Sequence, residues 1–145
     1  MNGRISYSET SLAGQSANKF GALHTELRMK NALLVGFGAM IGAMIRYGLL
    51  LAIAKPPWTI AMINISGSFL LGIAAAVWAK DHPWRLFLGT GVLGGYTTYS
   101  TFSMDIVEQL QRKEYLAAIS NVSLQTIGSI SLCAIGFAIG SKLST

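Results

Sequence analysis

An all-α integral membrane fold of four helices, the third of them broken, is predicted by three observations. Of the 145 residues, 52% are hydrophobic and only 12% are charged, whereas a soluble domain carries about 25% charge. Four apolar runs each reach the roughly 20 residues that a hydrocarbon core requires. The third run is free of charge from Leu86 to Met104, yet it holds Gly94-Gly95 followed by Thr97, Thr98, Ser100, Thr101 and Ser103, with Tyr96, Tyr99 and Phe102 among them. Helix breakers and hydroxyls at membrane depth are tolerated only where they line a polar cavity or are satisfied within protein. The segment is therefore read as a broken helix serving a polar pathway.

Residues 1–28 are polar, rich in Ser, Thr, Gly and Ala, and aperiodic. They lack the continuous apolar core of a secretory signal. The expectation is a disordered tail, or else a true start at Met29-Lys30; residues 29–145 form the four-helix domain. The first run extends from Asn31 to Ala54, is interrupted only by Arg46, and is stopped by Lys55-Pro56-Pro57. The second, Trp58 to Ala79, carries no charge. Trp58 and Trp78 bracket it, and 20 intervening steps of helix span about 30 Å, the thickness of the hydrocarbon core. The third runs from Leu86 to about Gln111, with Asp105 and Glu108 near its end, and the fourth from Leu116 to about Ser141. Linkers as short as Lys55–Pro57, Lys80–Arg85 and Arg112–Tyr115 make neighbouring helices antiparallel and put both termini on one side.

Charge distribution leaves the orientation open. Near the helix ends, the terminal side carries Lys30, Lys80, Arg85 and Lys142, joined by Lys19 and Arg28 if the tail is real; the opposite side carries Lys55, Arg112 and Lys113. The Lys/Arg excess sets topology, and this excess is small. Two readings follow: a weakly biased protein with both termini inside, or insertion in both orientations. Small residues at packing spacing (Gly38 and Gly42, Gly67, Gly72 and Ala76, Gly136 and Gly140) let helix backbones approach closely.

Several classes are disfavoured. The net charge of +5 forms no basic stripe interleaved with aromatics, so no nucleic-acid partner is expected. The one cysteine, Cys133, precludes an intrachain disulfide. His24 and His82 have no ligand-spaced companions, and no nucleophile, base and orienter recur together, so neither a metal enzyme nor another enzyme is expected.

The polar residues inside the runs are the candidate site. Arg46 lies past the middle of the first helix, where it either faces an anion pathway or snorkels to the far interface. Asn64 and Ser68 share a face of the second helix; Asn64 is either an anion donor or interhelical glue. Asn121, Gln125 and Ser129 form a stripe on the fourth helix that either lines a path or packs. Tyr99 and Phe102 are three apart on the third, where they either simply pack together or, given the hydroxyls around them, turn the positive edges of their rings to an anion. Gly94-Gly95 permits an unwound turn.

The segments Gly42-Ala43-Met44-Ile45-Arg46-Tyr47, Asn64-Ile65-Ser66-Gly67-Ser68-Phe69 and Gly94-Gly95-Tyr96-Thr97-Thr98-Tyr99-Ser100-Thr101-Phe102-Ser103 closely resemble the motifs of the small fluoride channels, the Fluc or CrcB family. The resemblance runs from about Met29 to Gly140. It implies a dual-topology protein of the bacterial cytoplasmic (inner) membrane, assembled as an antiparallel homodimer with two narrow fluoride pores. It also implies passive export: fluoride that enters as neutral HF dissociates inside and leaves down its gradient, which limits its toxicity. Carried over by position, the pore amide is Asn64, the paired pore rings are Tyr99 and Phe102, and Ser100 and Thr101 are hydroxyl contacts. Arg46 is the first-helix arginine, Asn121 and Gln125 take the places of the fourth-helix polar track, and Asp105 is the acidic residue near the end of the third helix; with Ser68, which shares a face with Asn64, Arg46, Asn121 and Gln125 are candidates for the pore or its vestibule. A structural sodium ion would be held by the backbone carbonyls of Gly94 and Thr97. The chain departs from the pattern at Tyr99, usually phenylalanine, at Asp105, more often glutamate, and at Asn121 and Gln125, where a phenol and a hydroxyl are usual. Two rival readings exist. A dual-topology multidrug exporter needs a carboxylate within the first helix, where this chain offers Arg46. A non-transporting assembly subunit explains the glycines but not the hydroxyl-rich break.

Overall fold

The computed structural model describes residues 6–53, 55 and 57–144, without the side chains of 6–18 and 20. Residues 1–5 of the tail, and Ala54 and Pro56 at the first stop, lie outside the described residues. All regular structure described is helical: α1 (Ser6–Ile53), α2 (Trp58–Val77), a π-helical segment (Arg85–Leu93), α3 (Gly94–Tyr96), α4 (Tyr99–Gln111) and α5 (Tyr115–Leu143). Three of these, over Gly21–Ile53, Trp58–Val77 and Tyr115–Leu143, are long and apolar enough to cross a membrane. The third apolar run is divided among three short pieces, as its hydroxyl content predicted.

The chain divides into two compact units, Met1–Leu33 and Leu34–Thr145. Within the first, residues 6–28, expected to be disordered, are helical. Good helix formers (Ala22, Leu23, Glu26, Leu27) and an i,i+4 ion pair from Lys30 Nζ to Glu26 Oε1 at 2.8 Å favour that state locally.

The second unit is built on α2, which supplies its most buried side chains: Ile60 and Ile63 at 0% exposure and Thr59 at 1%. It packs principally against α5. Close approach is what the glycines permit: a Cβ on Gly72 would strike the Cys133 carbonyl and stand 2.8 Å from the Phe137 amide, and one on Gly136 would strike the Phe69 carbonyl. Residues 38–42 of α1 pack in the same way against the third run, where a Cβ on Gly42 would meet the Val92 carbonyl.

Helix ends are closed by identifiable groups. Arg85 Nη1 donates to the Trp78 carbonyl at 3.0 Å and the Ala75 carbonyl at 3.3 Å, satisfying acceptors at the C-terminus of α2. The turn after α4 is a Schellman motif: Glu114 N–H donates to the Gln109 carbonyl and Lys113 N–H to the Leu110 carbonyl, both at 2.9 Å. Lys113 takes the left-handed position, φ 61°, which usually belongs to glycine.

Candidate functional site

The break in the third run falls at Thr97 and Thr98, one residue (Tyr96) beyond the glycine pair. Gly94 is helical, with φ −65° and ψ −37°. Thr97 (φ −76°, ψ 156°) and Thr98 (φ −149°, ψ 115°) are extended. The unwound turn expected at Gly94-Gly95 is thus corrected. β-Branched threonines favour extended backbone, whereas Gly95 is needed for packing: a Cβ there would collide with the Ala39 carbonyl.

An interrupted helix leaves backbone groups that must find partners. One side chain satisfies both polar groups of Thr98. Asn64 Oδ1 accepts from Thr98 N–H at 2.8 Å, and Asn64 Nδ2 donates to the Thr98 carbonyl at 3.0 Å. Arg46 Nη1 donates to the Thr97 carbonyl at 3.1 Å. Of the alternatives for Arg46, the structure has it bound to the break rather than extended to an interface. Thr98 also caps α4, its Oγ1 accepting from the Thr101 amide at 3.3 Å. The Ser100 and Thr101 hydroxyls converge on the same Oγ1, at 3.3 and 3.0 Å.

Beside this junction lies a cavity of about 310 Å³ lined by Asn64, Ser68, Thr97, Thr98, Tyr99, Phe102, Gln125, Thr126, Ser129 and Ile130. The Tyr99 and Phe102 rings meet at its wall, centroids 5.5 Å apart and planes inclined by 58°. Phe102 is buried and Tyr99 is 80% exposed. Seven residues singled out from sequence therefore share one cavity: Asn64, Ser68, Thr97, Tyr99, Phe102, Gln125 and Ser129. Gly94, Arg46, Ser100, Thr101 and Asn121 do not line it. Ser100 and Thr101 are turned away because the late break makes Thr98 the N-cap and draws the first-turn hydroxyls onto it.

From Asn64 a continuous chain of side-chain amides leaves the cavity. Asn64 Nδ2 donates to Gln125 Oε1 at 2.7 Å, Gln125 Nε2 to Asn121 Oδ1 at 2.8 Å, and Asn121 Nδ2 to Gln109 Oε1 at 3.4 Å. Gln109, Asn121 and Gln125 are all buried. Gln109 and Asn121 then border a second cavity of about 610 Å³, shared with Trp58, Glu114 and Leu116. Sequence reasoning included Thr98 in the hydroxyl-rich break without giving it a role, and missed Gln109. The clue for Thr98 was two adjacent β-branched residues within a helical run. Gln109 lay among charged residues near a helix end and gave no signal. Asp105 Oδ2 is buried and has no hydrogen-bond partner among the described residues. Those residues contain no group of three or more His, Cys, Asp and Glu that could hold a metal.

A family model described as CrcB-like protein, Camphor Resistance (CrcB), matches residues 33–137. The chain belongs to the CrcB-like family. It is 41% identical over 115 residues to a Listeria innocua protein named fluoride-specific ion channel FluC 1, covering 76% of this chain and 97% of the relative. Proteins named fluoride-specific ion channel FluC are 40% identical in Bordetella petrii (114 residues; 74% of this chain, 89% of the relative) and 37% in Pseudomonas putida (119 residues; 76% and 93%). The matched region contains the whole break and its amide chain. With three apolar spans among the described residues, the CrcB-like chain is an all-helical, multi-pass membrane protein.

Proposed function

We propose that this protein is a passive, fluoride-selective channel of the bacterial cytoplasmic membrane, not an enzyme. The observation that carries this reading is the cavity at the broken helix. There an amide, hydroxyls and two paired aromatic rings line one small space beside Asn64, in a chain whose relatives are named fluoride channels. Fluoride is small and strongly hydrated. Replacing its water requires closely held donors and positive ring edges, and a tight wall rejects larger halides. Asn64, Tyr99 and Phe102 are the pore contacts in this reading. Ser68, Gln125 and Ser129 extend its polar lining, Asn121 continues the track, and Ser100 and Thr101 act through the Thr98 cap. Arg46 contributes positive potential that favours an anion.

The channel is an antiparallel homodimer of four-pass subunits inserted in both orientations. Support comes from Tyr99, which lines the cavity yet is 80% exposed, so its ring needs a further surface. The long apolar spans containing α1 and α5 are only 11% buried within one chain. An opposed pair reproduces in two chains the inverted repeats that transporters build into one.

A structural sodium ion fits the carbonyl groups of the break. The Thr98 amide, which would otherwise close on the Gly94 carbonyl, is given to Asn64. The Thr97 carbonyl accepts only from Arg46 among the described contacts and keeps a second lone pair. Hard oxygen donors of this kind suit alkali and alkaline-earth cations, and a second subunit would double their number and offset the nearby guanidinium. The ion would join the two subunits without taking part in conduction.

Cells lacking other fluoride efflux routes provide the test. Expression of this protein should lower their internal fluoride and restore growth in fluoride medium, and collapsing the proton gradient across an energised membrane should not stop efflux. Fluoride accumulation unchanged by the protein would refute the reading. Efflux that required a proton gradient would favour an exporter.

A further inference from the structure

The orientation of the amide chain is fixed at one end by a group that can only donate. Thr98 N–H points at Asn64, so that atom of Asn64 is its oxygen and the other is its nitrogen. The assignment then propagates: Asn64 nitrogen meets Gln125 oxygen, Gln125 nitrogen meets Asn121 oxygen, and Asn121 nitrogen meets Gln109 oxygen. An amide nitrogen has two protons. Those of Asn64 are both committed, one to the Thr98 carbonyl at 3.0 Å and one to Gln125 Oε1 at 2.7 Å. The pore amide therefore has no spare donor for an anion in this conformation.

The two bonds differ in how readily they are released. The one to Thr98 belongs to a two-point pairing that satisfies broken backbone. The one to Gln125 joins two side chains, and the Gln125 carbonyl oxygen reaches Asn64 across the cavity wall. Building on the channel reading above, we propose that Gln125 Oε1 is an internal stand-in for the permeating anion. It holds the Asn64 proton while the pore is empty, and fluoride displaces it on arrival. Gln125 swings aside while keeping its Nε2 bond to Asn121. Its return helps expel the ion, so the site binds fluoride weakly enough to release it, as conduction demands.

The test combines fluoride titration of the purified protein in detergent, read by side-chain amide resonances of Asn64 and Gln125 after selective ¹⁵N labelling, with efflux from liposomes. In the unmodified protein, fluoride should shift both sets of resonances at one common concentration. Gln125→Met keeps the length of the side chain but removes the acceptor, so half-saturating fluoride should fall about tenfold, the equivalent of one hydrogen bond. Gln125→Glu places a charged acceptor on the same proton; its Asn64 signal should ignore fluoride and its efflux should be lost. The stand-in is overturned if Gln125 resonances stay fixed while Asn64 responds, if Gln125→Met saturates at the unmodified concentration, or if Gln125→Glu conducts normally. The titration of the unmodified protein decides the matter even if a variant misfolds. Fluoride release with immobile Gln125 resonances removes the stand-in and keeps the channel. Paired resonance shifts without any release keep the stand-in and remove the channel, and neither response removes both.

Discussion

Asn64 combines two tasks that its side chain alone can perform. It mends the backbone at Thr98 by accepting from the amide and donating to the carbonyl, and it stands on the wall of the polar cavity. Asn64→Asp keeps the acceptor but loses the donor and adds a negative charge beside the pathway. Anion flux from liposomes should be abolished, and retained flux would take Asn64 out of the pore. Asn64→Ala strips both partners from Thr98. Each stranded backbone group costs about 1–3 kcal/mol, so the variant should unfold at markedly lower temperature in detergent, which scanning fluorimetry would show. Phe102→Ile removes one ring edge from the Tyr99 pair. Fluoride flux should slow about three- to tenfold, and an unchanged rate would count against a ring-lined path.

At the level of the helices, the broken third run is held by Thr98 as cap and by Arg46 on the Thr97 carbonyl. Thr98→Val preserves shape and backbone pairing but deletes the cap, and should cost about 1 kcal/mol of stability. Lys113 sits at φ 61° in a position suited to glycine, so Lys113→Gly should raise stability by about 1 kcal/mol; a lower unfolding midpoint would contradict this. Much of this level was legible in the sequence. Run lengths located α2 and α5, and glycine spacing named the close contacts at Gly42, Gly72 and Gly136. Hydroxyls within an apolar run marked the break. Its position was less legible, because glycine signals freedom to unwind while the surrounding packing decides whether that freedom is used. Gly95 is spent on contact with Ala39, and the threonines unwind instead. Helix in residues 6–28 was not legible, because that segment is polar and aperiodic and only local propensity favours the helix there. The amide chain was half legible: Asn121 and Gln125 are four apart on one helix, but their links to Gln109 and Asn64 come from other helices.

For the whole molecule, one chain presents long apolar helices with little internal cover and a cavity bordered by an exposed tyrosine ring. The homodimer proposed above supplies the missing surface. Adding several lysines beside Lys142 should force one orientation. That variant alone should be inactive, while mixing it with a variant biased the other way should restore flux; full activity from one orientation would exclude antiparallel pairing. The most direct measurement is ion release from liposomes that hold the purified, folded protein, loaded with fluoride or with chloride and read by ion-selective electrodes. Rapid fluoride release without chloride release is expected from a tight, donor-lined pore. No fluoride release, or equal release of both ions, would contradict it.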